Sequence, residues 1–153
     1  DRVRDTMPDC ILRTTVIVGF PGEGEAEFET LLRFLREHPF DRLGAFAYSP
    51  EEGTPAASFP HQVPEAEKQR RLDVLMRQQQ GISLALNRAR EGSAAQVLVE
   101  GRQGELWAGR SYGEAPDVDG RILFHSPREL VPGTFVNVRL TRAEPYDIFG
   151  VQV

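Results

Sequence analysis

Cysteine occurs once in the 153 residues, at Cys10. One thiol closes no internal disulfide, and alone it holds neither a structural zinc nor an iron–sulfur cluster. No apolar run approaches the roughly eighteen residues that a membrane helix needs. The first residues are charged and no apolar core follows them, so a signal peptide is not expected. Positive charge is also short: 18 Lys and Arg stand against 23 Asp and Glu, a net charge of −5 with pI about 5.3. That balance speaks against the basic footprint of a nucleic-acid binder. The three histidines, His38, His61 and His125, are scattered without metal-ligand spacing. With cysteine this scarce, the expected compartment is the cytoplasm and no membrane is involved.

What is present begins with Arg13-Thr14-Thr15-Val16-Ile17-Val18-Gly19-Phe20-Pro21-Gly22-Glu23. Residues 11–18 are rich in β-branched side chains and read as a strand buried on both faces. Gly19, Pro21 and Gly22 break it, and Phe28, Leu31, Leu32 and Leu35 then recur at helical spacing over 24–37. Glu23, Glu25, Glu27 and Glu29 suit the positive end of that helix, and Pro39 stops it. A second strand runs over 43–49. Strand, helix, strand is a βαβ unit, whose ligands gather at the carboxyl ends of the strands. One such unit neither closes a barrel nor covers both faces of a sheet, and the chain starts at Asp1 almost directly before a strand. We therefore expect the C-terminal piece of a longer protein.

Pro64 fits the first turn of a long helix whose apolar face is Leu72, Leu75, Met76, Ile82 and Leu86. Its Arg-rich face, with Arg70, Arg71, Arg77, Arg88 and Arg90, reads as solvated rather than RNA-binding. Beyond Gly92 the character changes. Short β-like runs at 95–100, 105–112, 121–125, 134–142 and 147–152 alternate with glycines, the pattern of a small oligonucleotide-binding-type barrel. The fold class is thus α/β followed by all-β, with domains at 1–91 and 92–153.

The Gly19–Gly24 stretch lacks both GxGxxG spacing and the P-loop lysine, so a tight strand-to-helix turn is expected over a phosphate loop. Glu51 and Glu52 read as solvated loop charges. Tyr48 ends a parallel strand and is a candidate site residue, with a core aromatic the alternative. The long connection from Arg110 to Gly120 carries Arg110, Tyr112, Glu114, Asp117 and Asp119, mixed chemistry of the kind that functional loops present.

Together these segments resemble the radical S-adenosylmethionine methylthiotransferases. The Arg13–Glu23 and Tyr48–Ala56 segments resemble the fifth and sixth strands of their partial TIM-like barrel, and 92–153 resembles their terminal TRAM domain. Phe40–Phe46 and Gly109–Gly120 resemble the branch that modifies an aspartate of small-subunit ribosomal protein twelve. The resemblance implies an enzyme that cleaves S-adenosylmethionine to a radical and methylthiolates the aspartate β-carbon, using two 4Fe–4S clusters. The cysteines that hold them, including a CxxxCxxC loop, are not in this chain, so the chain alone should be inactive. It also implies that Ile17, Val18 and Gly19 line the adenine, that backbone at Ala47 and Tyr48 meets its edge, and that Arg13 lies nearer the cofactor's polar end.

Two other functions compete: a sister enzyme acting on adenosine of transfer RNA, and a non-catalytic protein- or RNA-binding module. From Gly92 to Val153 there are six Arg, no Lys and eight Asp or Glu, a net charge of −2. An RNA backbone asks for the opposite sign. The expected partner is therefore the ribosomal protein, free or on the ribosome, with transfer RNA second. The expected contact is Arg110, Tyr112, Glu114, Asp117 and Asp119.

Overall fold

In the computed structural model, which describes residues 2–153, β1 (Arg13–Val18) and β2 (Arg42–Ala47) pair in parallel. Arg13 stands opposite Arg42 and Val18 opposite Ala47, and α2 (Glu25–Glu37) makes the crossover. A short α1 (Arg2–Thr6) precedes them. A single 3₁₀ turn (Pro55–Ser58) and the long α3 (Glu65–Arg88) follow. Two units emerge, one ending at Ile82 and one beginning at Ser83, with the division inside α3.

In the first unit the strand alternation decides which face is covered. Val16 and Val18 of β1, with Leu43 and Ala45 of β2, pack under Phe28, Leu31, Leu32 and Leu35 of α2 and Leu72, Leu75 and Met76 of α3. The intervening residues point the other way: Ile17 is 52% exposed and its neighbour across the pair, Phe46, is 61% exposed. The expectation of burial on both faces is therefore corrected for the described residues. Only the helix-facing side is covered, because two helices lie on one side of a two-stranded sheet. Helix α2 begins at Gly24, whose N–H donates to Glu27 Oε2 at 2.9 Å, half of a capping box. The Pro64 carbonyl accepts the Lys68 N–H at 3.1 Å, so Pro64 stands just before α3 rather than within it.

The second unit is a closed barrel in the order β3-β4-β5-β7-β6. Its strands are β3 (Ala94–Gln103), β4 (Leu106–Arg110), β5 (Ile122–His125), β6 (Phe135–Ala143) and β7 (Ile148–Gln152). All neighbours are antiparallel except β5 and β7. Alternate residues fill the interior: Val97 and Val99 from β3, Val136, Val138 and Leu140 from β6, with Trp107, Ile122, Phe124 and Ile148. Gly109 and Gly150 sit where a Cβ would overlap the carbonyls of Leu98 and Arg139, so the strands close tightly at those two points. The end of α3 is tied in. Fully buried Asn87 donates to the carbonyls of Glu144 (3.1 Å) and Pro145 (3.3 Å), and the Ala143 N–H donates to Glu91 (2.8 Å).

Candidate functional site

At the carboxyl ends of β1 and β2 the chain turns sharply. Gly19 takes a φ of 74°, a left-handed value that favours glycine. Its N–H donates to Glu23 Oε1 at 2.8 Å. Arg71 of α3 holds that carboxylate: Nη1 donates to Glu23 Oε1 at 2.7 Å and to the Glu23 carbonyl at 2.9 Å. Arg71 Nε donates to Glu67 at 2.8 Å. Glu67 takes a further bond from Arg70, the main reason its carboxyl is lowered to about 2, with desolvation opposing and Arg71 adding to the fall.

Lys68 is buried and passes beneath Gly19, where a Cβ would overlap its Cγ. Glycine is thus required there twice, by conformation and by space. The Lys68 ammonium lies 5.4 Å from the centre of the Tyr48 ring and 3.4 Å from Glu65. Tyr48 continues the strand pairing by donating its N–H to the Val18 carbonyl at 2.8 Å. Its ring meets Phe20 edge-on at 5.2 Å, and its hydroxyl is buried without a hydrogen-bond partner among the described residues.

The expected cofactor residues separate on this geometry. Ile17 lies on the open face, and Gly19, Ala47 and Tyr48 share the carboxyl edge. The Val18 side chain does not reach that face: it is fully buried against α2 and α3, by strand alternation. Arg13 opens β1, so at about 3.3 Å per residue it lies about 16 Å from Val18, at the amino edge. Glu51 and Glu52 are exposed, as solvated loop charges should be. Sequence reasoning missed Glu23, Lys68 and Arg71. Arg71 is only 6% exposed at its side chain, so the helix face that reads as solvated is in part a buried clamp. One signal was in the composition: Lys68 is the single lysine among 18 basic residues.

In the barrel, the connection from β4 to β5 is pinned from within. Glu114 is buried, with Oε1 accepting from Arg90 Nη1 at 2.7 Å and Oε2 accepting from the Ser111 N–H (2.9 Å) and hydroxyl (2.6 Å). Burial pushes the Glu114 carboxyl up, but the bonds from Arg90 and Ser111 outweigh it and the carboxyl lies below its ordinary value. Asp119 accepts the Ala115 N–H at 2.7 Å. The loop residues expected to meet a partner therefore divide. Glu114 is corrected to an internal support, because its charge is spent on Arg90 and Ser111. Asp119 is half-buried and also braces the loop. Asp117 is exposed, at a φ of 60°. Tyr112 stands 77% exposed at the loop's surface. Arg110 pairs with Glu100 at 2.7 Å, each side chain about one-third exposed.

Among the described residues no helix is long and apolar enough to cross a membrane, and no group of His, Cys, Asp or Glu could hold a metal ion. Residues 92–153 match the model of the TRAM domain. Over 95% of its length the chain is 53% identical to the ribosomal protein uS12 methylthiotransferase RimO of Desulforudis audaxviator, covering 32% of that protein. It is 51% identical over 98% of its length to the protein of the same description from a Synechococcus strain, covering 32% of it. For that of a Roseiflexus strain the figures are 50%, 99% and 33%. The chain spans about a third of the length of these relatives. It carries a TRAM domain at residues 92–153 and is similar along 95–99% of its length to these uS12 methylthiotransferases.

Proposed function

We propose that this chain is part of an enzyme that methylthiolates uS12 in the cytoplasm, with residues 1–91 belonging to its radical core and 92–153 recruiting the substrate. The observation that carries the reading is identity of about one half along nearly the whole chain to uS12 methylthiotransferases. The reacting position is the β-carbon of an aspartate.

The residues at the carboxyl edge fit S-adenosylmethionine. The open face offers Ile17, the edge offers backbone at Gly19 and Ala47, and the buried Tyr48 hydroxyl is without a partner. Bound there, the cofactor supplies the radical and the methyl group. This chain's part is to seat the adenine: Ile17 gives an apolar wall, and the Glu23–Arg71 clamp fixes the Gly19 turn. The two 4Fe–4S clusters do not fit these residues, since Cys10 is the only cysteine. Their ligands belong to sequence beyond this chain. The alternative substrate, transfer RNA, fits the −2 charge of residues 92–153 less well.

The test is anaerobic turnover of the full-length enzyme, with clusters reconstituted, on purified uS12. Mass spectrometry should find one methylthio group on an aspartate of uS12. Modification of transfer RNA instead, or a coding sequence without CxxxCxxC, overturns the reading. The 153-residue chain alone should incorporate no stoichiometric 4Fe–4S cluster and leave uS12 unmodified.

A further inference from the structure

We propose that Arg71 of α3 is a positioning residue for S-adenosylmethionine: through Glu23 it fixes the Val18–Gly19 peptide, and with it the carboxyl-edge backbone that meets the adenine. The proposal rests on the reading that this edge seats the cofactor, and it assigns the affinity of that seat to a helix outside the βαβ unit.

The peptide that joins Val18 to Gly19 is committed at both ends. Its carbonyl accepts the Tyr48 N–H at 2.8 Å, which ties β1 to the end of β2. A trans peptide points its N–H the opposite way, here away from β2. There Glu23 Oε1 accepts it at 2.8 Å. One peptide plane therefore orients two of the expected cofactor contacts, Gly19 directly and Tyr48 through its backbone.

The turn does not hold that plane by itself. Gly19 and Gly22 take φ of 74° and 86°, and glycine has the widest backbone freedom of any residue. The Glu23 N–H closes the turn on the Phe20 carbonyl at 2.9 Å, and the Gly22 N–H donates to the His61 carbonyl at 3.0 Å. Neither bond reaches the Gly19 amide. The Glu23 carboxylate does, and a carboxylate on a flexible side chain fixes a peptide only when it is itself fixed.

Arg71 fixes it. Nη1 donates to Glu23 Oε1 at 2.7 Å and to the Glu23 carbonyl at 2.9 Å, so one nitrogen locks side chain and main chain together. The guanidinium is anchored in turn by Nε on Glu67 at 2.8 Å and lies 5.5 Å from the centre of the Phe28 ring. The Arg71 and Glu23 side chains are 6% and 13% exposed. A buried ion pair is a poor way to gain stability, since apolar residues of similar volume hold a helix against a sheet as well. Apolar residues would leave the Gly19 N–H without an acceptor. The charged pair is there to orient that peptide.

The experiment uses the full-length enzyme with clusters reconstituted, and S-adenosylmethionine as the probe. Equilibrium dialysis without reductant gives the dissociation constant. Hydrogen exchange over residues 17–23 reports on the Gly19 amide, and turnover on uS12 separates KM from kcat. Arg71→Met should raise the dissociation constant and KM about tenfold and speed exchange at Gly19. It should leave kcat at saturating cofactor within about threefold, as loss of binding common to ground and transition states does. Arg71→Lys keeps the cation but loses the planar fork, and should raise the dissociation constant about threefold; it carries the test where Arg71→Met does not fold. Leu35→Ala opens a cavity in the core of the same unit and controls for general loss of stability, so the dissociation constant should stay within about twofold. Ile17→Asp places a charge on the adenine wall and should weaken binding. Unchanged binding in the Arg71 variants, weaker binding without faster Gly19 exchange, or an equal loss in Leu35→Ala overturns the proposal while the seat stands. If the parent enzyme binds no S-adenosylmethionine, or Ile17→Asp binds it as the parent does, the reading of the carboxyl edge fails and the proposal with it.

Discussion

The two units solve the same problem differently. The barrel pairs each of its five strands with two neighbours and encloses its own core. The β1–β2 pair buries one face under two helices and leaves Ile17 and Phe46 in solvent on the other. Closure removes sheet edges, whereas an open two-stranded parallel pair keeps both edges and one face. The barrel therefore has what a self-sufficient domain needs. In the first unit, interior stability comes from the helix side and from the charged clamp at the carboxyl edge.

The two units should differ most under deletion of an aromatic ring. Phe124→Ala empties the centre of the barrel and should cost about 3–5 kcal/mol. Phe46→Ala removes an exposed ring from the open face and should change stability by less than about 0.5 kcal/mol. Urea denaturation of the 153-residue chain, followed by tryptophan fluorescence of Trp107 for the barrel and by circular dichroism for the whole, separates the two. A large loss from Phe46→Ala would mean that the open face is covered in solution.

Charge gives the next largest effects. The Glu114 carboxyl lies below its ordinary value in the folded barrel, so the unfolded chain binds its proton more tightly. Its contribution is complete above the ordinary carboxylate range and is lost as pH falls through Glu114's own lowered value. Glu114→Gln should destabilise the barrel near neutrality by about 2 kcal/mol, since Arg90 loses a charged partner. It should also flatten the acid limb of the stability curve. An acid limb identical to that of the parent chain would assign the effect to other carboxylates. In the first unit, Arg71→Met leaves Glu23 without its cation and should cost about 2 kcal/mol. Protection of the Gly19 amide against hydrogen exchange should fall with it, because that amide is bonded to Glu23.

The elements were legible and the partners were not. Proline and glycine punctuation with apolar period placed β1, α2, β2 and α3 within about two residues, and the five short runs after Gly92 became the five strands of the barrel. Those signals are local. The resemblance puts Val18 on the cofactor wall, and a run rich in β-branched residues does not say which side the helices take. Its true neighbours, Phe28 and Leu75, are contributed by separate helices. Glu114 read as a loop charge because its partner, Arg90, lies 24 residues earlier. Arg71 read as solvated because helical spacing alone cannot reveal Glu23, 48 residues away. Charge pairs across such distances carry no sequence period, so the supports of both candidate sites stayed hidden while their scaffold did not.

The smallest expected effect concerns the proposed contact between the barrel and uS12. Asp117 is exposed and already adopts the left-handed backbone that asparagine tolerates, so Asp117→Asn removes charge with little disturbance. Tyr112→Ala removes the most exposed aromatic of the loop without touching the Arg90–Glu114–Ser111 supports. Opposite charge steers encounter, whereas a packed aromatic holds the complex. Tyr112→Ala should therefore raise the dissociation rate from uS12 about tenfold if the ring is worth about 1.4 kcal/mol, with association unchanged. Asp117→Asn should instead slow association about twofold at low salt, and the difference should vanish near 0.5 M salt as screening removes the long-range term. Association and dissociation rates of uS12 on the immobilised chain, measured across salt concentrations, check both. If Asp117→Asn changes dissociation and not association, the carboxylate makes a direct contact. If neither variant moves either rate, the loop is a braced connection and the partner meets the barrel elsewhere.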